Sequence, residues 1–302
     1  MNITSAHLSA MLAFSLWGLF PIYWKFFQEV SAWDLFGHRM MWSFVTLMLI
    51  MSFRKKLSFL RDITRSPKTR LMLIMSALLI SSNWLLYIYA VNIGRILEAS
   101  MGYFLNPLIN VFMGWLLLKE KIRPTQWPAI LLAVLAMIIL ALQTDLQHFP
   151  WIALVLSITF ALYGLIRKLA QVGSMEGLTF ETCFMILPVM IYWSFQETSP
   201  LTILNLIPNW KFGILLFSGV VTSLPLILFA YSAKRLPLQT LGFIQYLSPS
   251  LKFLCGWLIF KEALSTEKLQ AFIIIWIALG YYTVESFMQT RKKIVTTATF
   301  SE

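Results

Sequence analysis

Charge is scarce in this sequence. Only 12% of its 302 residues are Asp, Glu, Lys or Arg, against about 25% in a typical soluble protein. That shortage excludes a solvated surface over most of the chain. Hydrophobic residues make up 59%, and the mean hydropathy is +0.74. Acidic residues are scarcest, 13 against 24 basic ones, for a net charge of +11. In a soluble domain that imbalance would point to nucleic acid. Here the basic residues sit between apolar runs, where a Lys/Arg excess sets membrane orientation, so no nucleic-acid partner is expected. The two cysteines, Cys183 and Cys255, lie inside apolar runs and exclude a disulfide framework. His7, His38 and His148 are far apart and lack metal-ligand spacing, so neither metal nor cofactor is expected. No phosphate-cradling Gly-rich lysine motif occurs, which excludes ATP-driven transport by this chain alone. No acidic residue falls at the middle of an apolar run, so no carboxylate proton relay is read. The first apolar stretch has neither a basic leader nor a small-residue cleavage site, and residues 8–24 are expected to be a retained helix.

What is present is apolar runs of membrane length. A helix needs about 20 apolar residues to cross the hydrocarbon. Spans are expected near 6–24, 34–53, 71–91, 97–118, 126–143, 150–168, 178–196, 211–233, 238–260 and 268–288. The runs are continuous, not alternating, which argues against strands. Seventeen of the 24 Lys and Arg residues fall on the side of the two termini, five on the other side and two within spans. That split predicts ten spans with both termini cytoplasmic.

One stretch occurs twice. Residues 97–120 read LEASMGYFLNPLINVFMGWLLLKE, and residues 239–262 read QTLGFIQYLSPSLKFLCGWLIFKE. At an offset of 142, Pro107 falls on Pro249, Gly114-Trp115 on Gly256-Trp257, and Lys119-Glu120 on Lys261-Glu262. Spans 1 and 6 also correspond, at an offset of 146, where Phe14, Trp17-Gly18 and Leu19 meet Phe160, Tyr163-Gly164 and Leu165. The chain therefore reads as two units, 1–145 and 146–302. Each has five spans, an odd number, so the second unit enters the membrane inverted. Inverted repeats are a mark of secondary transporters.

The polar residues inside the spans are the candidate binding site. In span 4, Tyr103, Asn106 and Asn110 share one helical face with Gly114. Their counterparts in span 9 are Gln245, Ser248, Lys252 and Gly256. Two such stripes related by a pseudo-two-fold axis would face one central cavity. Pro107 and Pro249 cannot donate to the carbonyls of Tyr103 and Gln245. Each is an expected helix kink whose exposed carbonyl faces either a cavity or an internal partner. Span 3 adds Asn83 and Tyr87, for which helix packing is the alternative reading. Trp17 and Tyr163 are either cavity-facing or interfacial aromatics. Arg39, about 8 Å into span 2, is either a charge at the outer mouth, a snorkelling side chain, or a structural partner of Asp34 or Glu98. Arg39 and Lys252 lie at similar depth and together would attract an anionic group, with Glu98 the competing internal partner. Glu181 and Glu285 read as interfacial, and His38 as structural. Spans 5 and 10 are almost wholly apolar and read as scaffold, lipid-facing surface or a homodimer contact.

The segments HRMMWS (38–43), NWLLYIYAVNIGRILEASMGYFLNPLINV (83–111), ALYGLIRK (161–168) and TSLPLILFAYSAKRLPLQTLGFIQYLSPSLKFLCGWLIFKE (222–262) resemble the drug/metabolite transporter superfamily, with two EamA-type units, and its RarD-like branch. The resemblance spans nearly the whole chain. It implies an all-α integral membrane fold of ten helices in two inverted five-helix repeats. It also implies a central cavity lined by spans 1, 3, 4, 6, 8 and 9, and a secondary active exporter or permease in the bacterial inner membrane working by alternating access. The substrate would be a small molecule, whether amino-acid-like, an organic anion or drug-like. Asn110 and Asn83 of the first unit are replaced by Lys252 and Pro225 in the second, which puts symmetric contacts in doubt. Two rival readings are a membrane-embedded lipid-modifying enzyme, for which no cluster of catalytic side chains is seen, and a non-transporting assembly partner.

Overall fold

The computed structural model describes residues 4–27, 29–59, 61, 63, 66–93, 95–143, 150–195, 207–261 and 266–299. Among them there is no strand. Eight helices come first, α1 (Ser5–Trp24), α2 (Ala32–Phe53), α3 (Pro67–Asn92), α4 (Ile96–Leu118), α5 (Trp127–Gln143), α6 (Trp151–Leu169), α7 (Ser174–Ser194) and α8 (Asn209–Ala233). The ninth span is α9 (Leu238–Gln245), α10 (Leu247–Leu254) and a π-turn over Cys255–Ile259. The tenth is α11 (Thr266–Thr299). Nine of the described helices are long and apolar enough to cross a membrane, and the segmented ninth span makes ten. α11 runs past the expected end at 288, because Arg291, Lys292 and Lys293 are good helix formers that carry it out of the apolar layer. The expected unit boundary at 145/146 lies outside the described residues.

Local chemistry sets the ends. Ser31 caps α2, its hydroxyl oxygen accepting from the Asp34 N–H at 3.1 Å. Pro150, Pro208 and Pro237 stand immediately before α6, α8 and α9, where a missing N–H costs nothing. α4 closes with Lys119 in the left-handed region at φ 53°, and the Glu120 N–H reaches back to the Gly114 carbonyl at 2.9 Å. Lys261, 142 residues on, has φ 54°. The repeat thus shows in the backbone as well as in the letters.

The two units interleave. α1 packs on α8 and on the ninth span, and their counterparts match, α6 packing on α3 and α4. α4 meets α9, α5 meets α11, and α2 meets α7, each pair joining equivalent helices of the two inverted repeats. Close contacts use small residues. Ala129, Ala133 and Ala136 of α5 face Ala271 and Ile275 of α11, all fully buried. On the outer faces Leu131, Leu135, Ile138 and Leu142 are exposed. In water that surface would aggregate; against acyl chains it is ordinary.

Pro107 and Pro249 have unequal effects. α4 is continuous through Pro107, whereas the ninth span breaks at Tyr246. There the Tyr246 N–H turns back to the Phe243 carbonyl at 3.2 Å, and Pro249 offers no N–H to Gln245. Over Cys255–Ile259 the helix widens instead, the Phe260 N–H bonding to the Cys255 carbonyl at 3.0 Å.

Candidate functional site

Six spans and the start of α2 enclose a cavity of about 410 Å³, within the range of small-molecule pockets. α1 contributes one face, with Phe14, Trp17, Phe20, Pro21 and Trp24. Leu35, Phe36 and Arg39 come from α2, and Asn83, Trp84 and Tyr87 from α3. Tyr103 and Asn106 come from α4, Phe160 from α6, Thr222 from α8, and Gln245, Ser248, Pro249 and Lys252 from the ninth span. On α1 the lining begins at mid-helix and continues to its C-terminal end, and on α2 it is the first turns that contribute. The cavity therefore occupies the half of the bundle away from the N terminus.

Of the residues singled out from sequence, Trp17, Asn83, Tyr87, Tyr103, Asn106, Gln245, Ser248, Lys252, Arg39 and Pro249 come together on this one cavity. Asn83 is held in its wall, donating to the Leu156 carbonyl at 2.7 Å and the Thr159 hydroxyl at 2.9 Å. Asn110 and Tyr163 lie outside the lining. Tyr163 is fully buried behind it and stacks on Phe229 with ring centres 5.9 Å apart. The side chain of Glu98 lies outside the described residues. Pro107 sits below the cavity, its carbonyl against Gly242, where a Cβ would come within 2.7 Å. Gly18 likewise lets α1 close on α10, since a Cβ there would lie 2.6 Å from Leu251 Cβ. His38 is buried beside Trp193, ring centres 5.2 Å apart.

Aromatic faces hold both cavity cations. The Arg39 guanidinium carbon lies 4.6 Å from the Trp24 ring centre and 5.3 Å from that of Trp84, and its Nε donates to the Thr222 hydroxyl at 3.3 Å. Asp34, an expected partner, instead accepts from the Ser31 hydroxyl at 2.7 Å. The Lys252 ammonium stands 4.2 Å from the Tyr103 ring centre. No carboxylate among the described residues lines the cavity. Below, the Asn110 amide nitrogen donates to both Gln245 Oε1 at 2.8 Å and Asn106 Oδ1 at 3.3 Å.

The end near the N terminus is sealed, and by paired charges. Glu120 accepts from the first N–H groups of α9, Leu238 at 2.9 Å and Gln239 at 3.2 Å, with Lys168 at 3.9 Å. Gly114 approaches so closely that a Cβ would lie 3.2 Å from Leu238 Cβ. Arg123 pairs with Glu285 at 2.6 Å, which raises the arginine's pKa. Lys234 donates to the Val172 carbonyl; burial, then the neighbouring Arg167 and Arg235, lower its pKa to about 8. One reading from sequence is corrected here: Glu181 is not interfacial. It and Arg167 are fully buried and paired at 3.2 Å, Glu181 also accepting from Ser76 and Arg167 donating to the Ser174 carbonyl at 2.8 Å. The arginine lies in the last turn of α6, so its long side chain folds inward onto α7, where Gly177 makes room for it.

This arrangement of paired five-helix units has relatives. The pattern of the EamA-like transporter family matches residues 4–142 and again residues 150–284. The chain belongs to the EamA-like transporter family. Within the drug/metabolite transporter superfamily it is RarD-like. It is 37% identical to protein RarD of Escherichia coli over 285 residues, covering 94% of this chain and 96% of that one. It is 39% identical to an uncharacterized transporter of Pseudomonas aeruginosa, covering 96% and 97%. The uncharacterized transporter YojE of Bacillus subtilis is 40% identical, with 90% and 91% covered. A solved crystal structure superposes with a TM-score of 0.72 over 94% of this chain and 99% of that one; at 17% identity it shows the fold alone. The protein is a multi-pass membrane transporter of this family.

Sequence reasoning missed Trp24, Trp84, Phe36 and Thr222 in this EamA-family cavity. In a chain with 12 Trp and 24 Phe, an aromatic carries no signal of which way it points. Thr222 has a weak signal, a hydroxyl three residues before Pro225.

Proposed function

We propose that the protein is a secondary active transporter that carries small molecules across the bacterial inner membrane by alternating access, with both termini in the cytoplasm. The observation that carries this reading is a ligand-sized cavity in one half of the bundle, with the crossing of α4 and α9 on the side nearer the N terminus. Those helices belong to inverted copies of one sequence, so an equivalent crossing of α4 with α10 would close the other side instead. With the Lys/Arg-rich face inside, the described state is outward-facing. Two units, 1–145 and 146–302, supply the two crossings. Trp17, Tyr87 and Tyr103 contact the apolar part of the substrate. Asn106, Gln245, Ser248, Lys252 and Arg39 hold its polar part, and Asn83, Asn110 and Tyr163 position the walls. The face of α5 and α11 is the proposed surface for a homodimer.

The test is transport by purified protein in liposomes. A molecule that raises its melting temperature, as a ligand of the folded state does by mass action, should exchange across the membrane with saturable kinetics. Binding without exchange would favour the rival reading of a non-transporting membrane partner.

A further inference from the structure

The cavity has cations without matching carboxylates among the described residues. Two of its side chains are cations, Arg39 and Lys252, and no carboxylate among the described residues lines it. Among the described residues, Lys252 has a ring face at 4.2 Å but no hydrogen-bond acceptor, and Arg39 spends only Nε, on Thr222. The two amides at the floor add to the imbalance. The Asn110 amide nitrogen donates to the side-chain oxygens of both Asn106 and Gln245. Each oxygen thereby has one of its two lone pairs engaged, and the amide nitrogens of Asn106 and Gln245 are available as donors to a ligand. Around this polar set stand flat rings, among them Trp17, Trp84, Tyr87 and Tyr103. A cation or a zwitterion would find no described counter-charge for its ammonium group.

We propose that the cavity takes a small organic anion, a carboxylate carried on a flat apolar ring. The carboxylate is held by Arg39 and Lys252 with the amide nitrogens of Asn106 and Gln245, and the ring lies among the aromatic walls. A desolvated anion fits because both cations are already stripped of much water, and planar guanidinium and carboxylate groups match in geometry. The inference names the substrate class for the transporter reading and rests on it only for the word substrate; the binding claim stands separately.

The experiment uses the full-length protein purified in detergent, with melting temperature read against benzoate, benzylamine, phenylalanine and benzamide at matched millimolar concentrations. Benzoate should raise the melting temperature in a dose-dependent way, and the cation, zwitterion and neutral amide should not. Lys252→Met should weaken benzoate binding at least tenfold, about 1.4 kcal/mol, and Lys252→Arg should recover most of it. Arg39→Met should weaken it similarly. The melting temperature of each variant without ligand checks that it is folded; should Arg39→Met fail to fold, the lysine pair decides. No shift with benzoate, an equal or larger shift with benzylamine or phenylalanine, or unaltered affinity in Lys252→Met would overturn the proposal. Benzylamine bound and carried into liposomes would sink the anion and leave the transporter standing. Benzoate bound but never carried would do the reverse.

Discussion

Two contacts in this protein are equivalent by the repeat and opposite in chemistry. Asn110 of α4 reaches Gln245 of the ninth span, and Lys252 of the ninth span reaches Tyr103 of α4. Exchanging the two repeats at their offset of 142 turns Asn110 into Lys252 and Gln245 into Tyr103, and so the first pair into the second. The first is a dry amide bond in the sealed half, where Glu120, Lys168, Arg167, Glu181, Arg123 and Glu285 neutralise one another. The second is an ammonium over a ring in the half that holds the cavity. The same framework therefore closes where its polar groups satisfy each other and stays open where they do not. Buried charge is tolerated in lipid either by an opposite charge or by a cavity and a π-face.

Making the sealed half resemble the open one should cost most. Glu181→Gln leaves Arg167 charged, fully buried and without its paired carboxylate. A loss of about 3–5 kcal/mol is expected, measured as denaturant unfolding in detergent. The double variant Arg167→Met/Glu181→Met should lose less than the single one. A double variant as unstable as Glu181→Gln would show that packing of these side chains, and not charge neutralisation, holds α6 to α7.

A smaller effect is expected from loosening the crossing itself. Glu120→Ala strips the cap from the Leu238 and Gln239 N–H groups, worth about 1–2 kcal/mol. Its sharper consequence is conformational. A cysteine placed at Gly242, now hidden against Pro107, is too crowded to serve as a probe, but a cysteine at Thr240 should react faster with a membrane-impermeant maleimide when Glu120 is absent. Unchanged labelling would mean that the glycine contacts alone keep this end shut.

The smallest effect concerns Lys234 at the sealed end. Its pKa in the folded protein is lowered to about 8 from the model-peptide value of 10.5, first by burial and then by Arg167 and Arg235. Between those values the unfolded chain holds more protons than the folded one, so stability rises with pH across that window. Below about pH 8 the penalty is fully present. Lys234→Met should flatten the rise seen in melting temperature from pH 8 to 10. Partial exposure keeps the effect small, and a rise that survives the substitution would assign it to another group.

The ten spans and the inverted pair of five were legible in the letters, because a bilayer demands about 20 apolar residues per helix and a repeat leaves Pro, Gly-Trp and Lys-Glu at one offset. So was most of the polar lining. A polar residue inside an apolar helix has few places to go, and Tyr103, Asn106, Gln245, Ser248 and Lys252 share the cavity as their common helical faces required. Tertiary structure decided the rest. Asn110 and Asn106 lie one turn apart on the same face, yet one is spent on the crossing and the other lines the cavity, because that crossing falls on one side of the membrane centre. Pro107 and Pro249 are the same residue at the same place in the repeat, and only the second lies in a span that breaks. Arg167 and Glu181 find each other across a helical hairpin, and no spacing rule reports which way a long side chain folds at a helix end. Sequence set which groups must avoid lipid; three-dimensional packing chose whether each would meet a partner or a ligand.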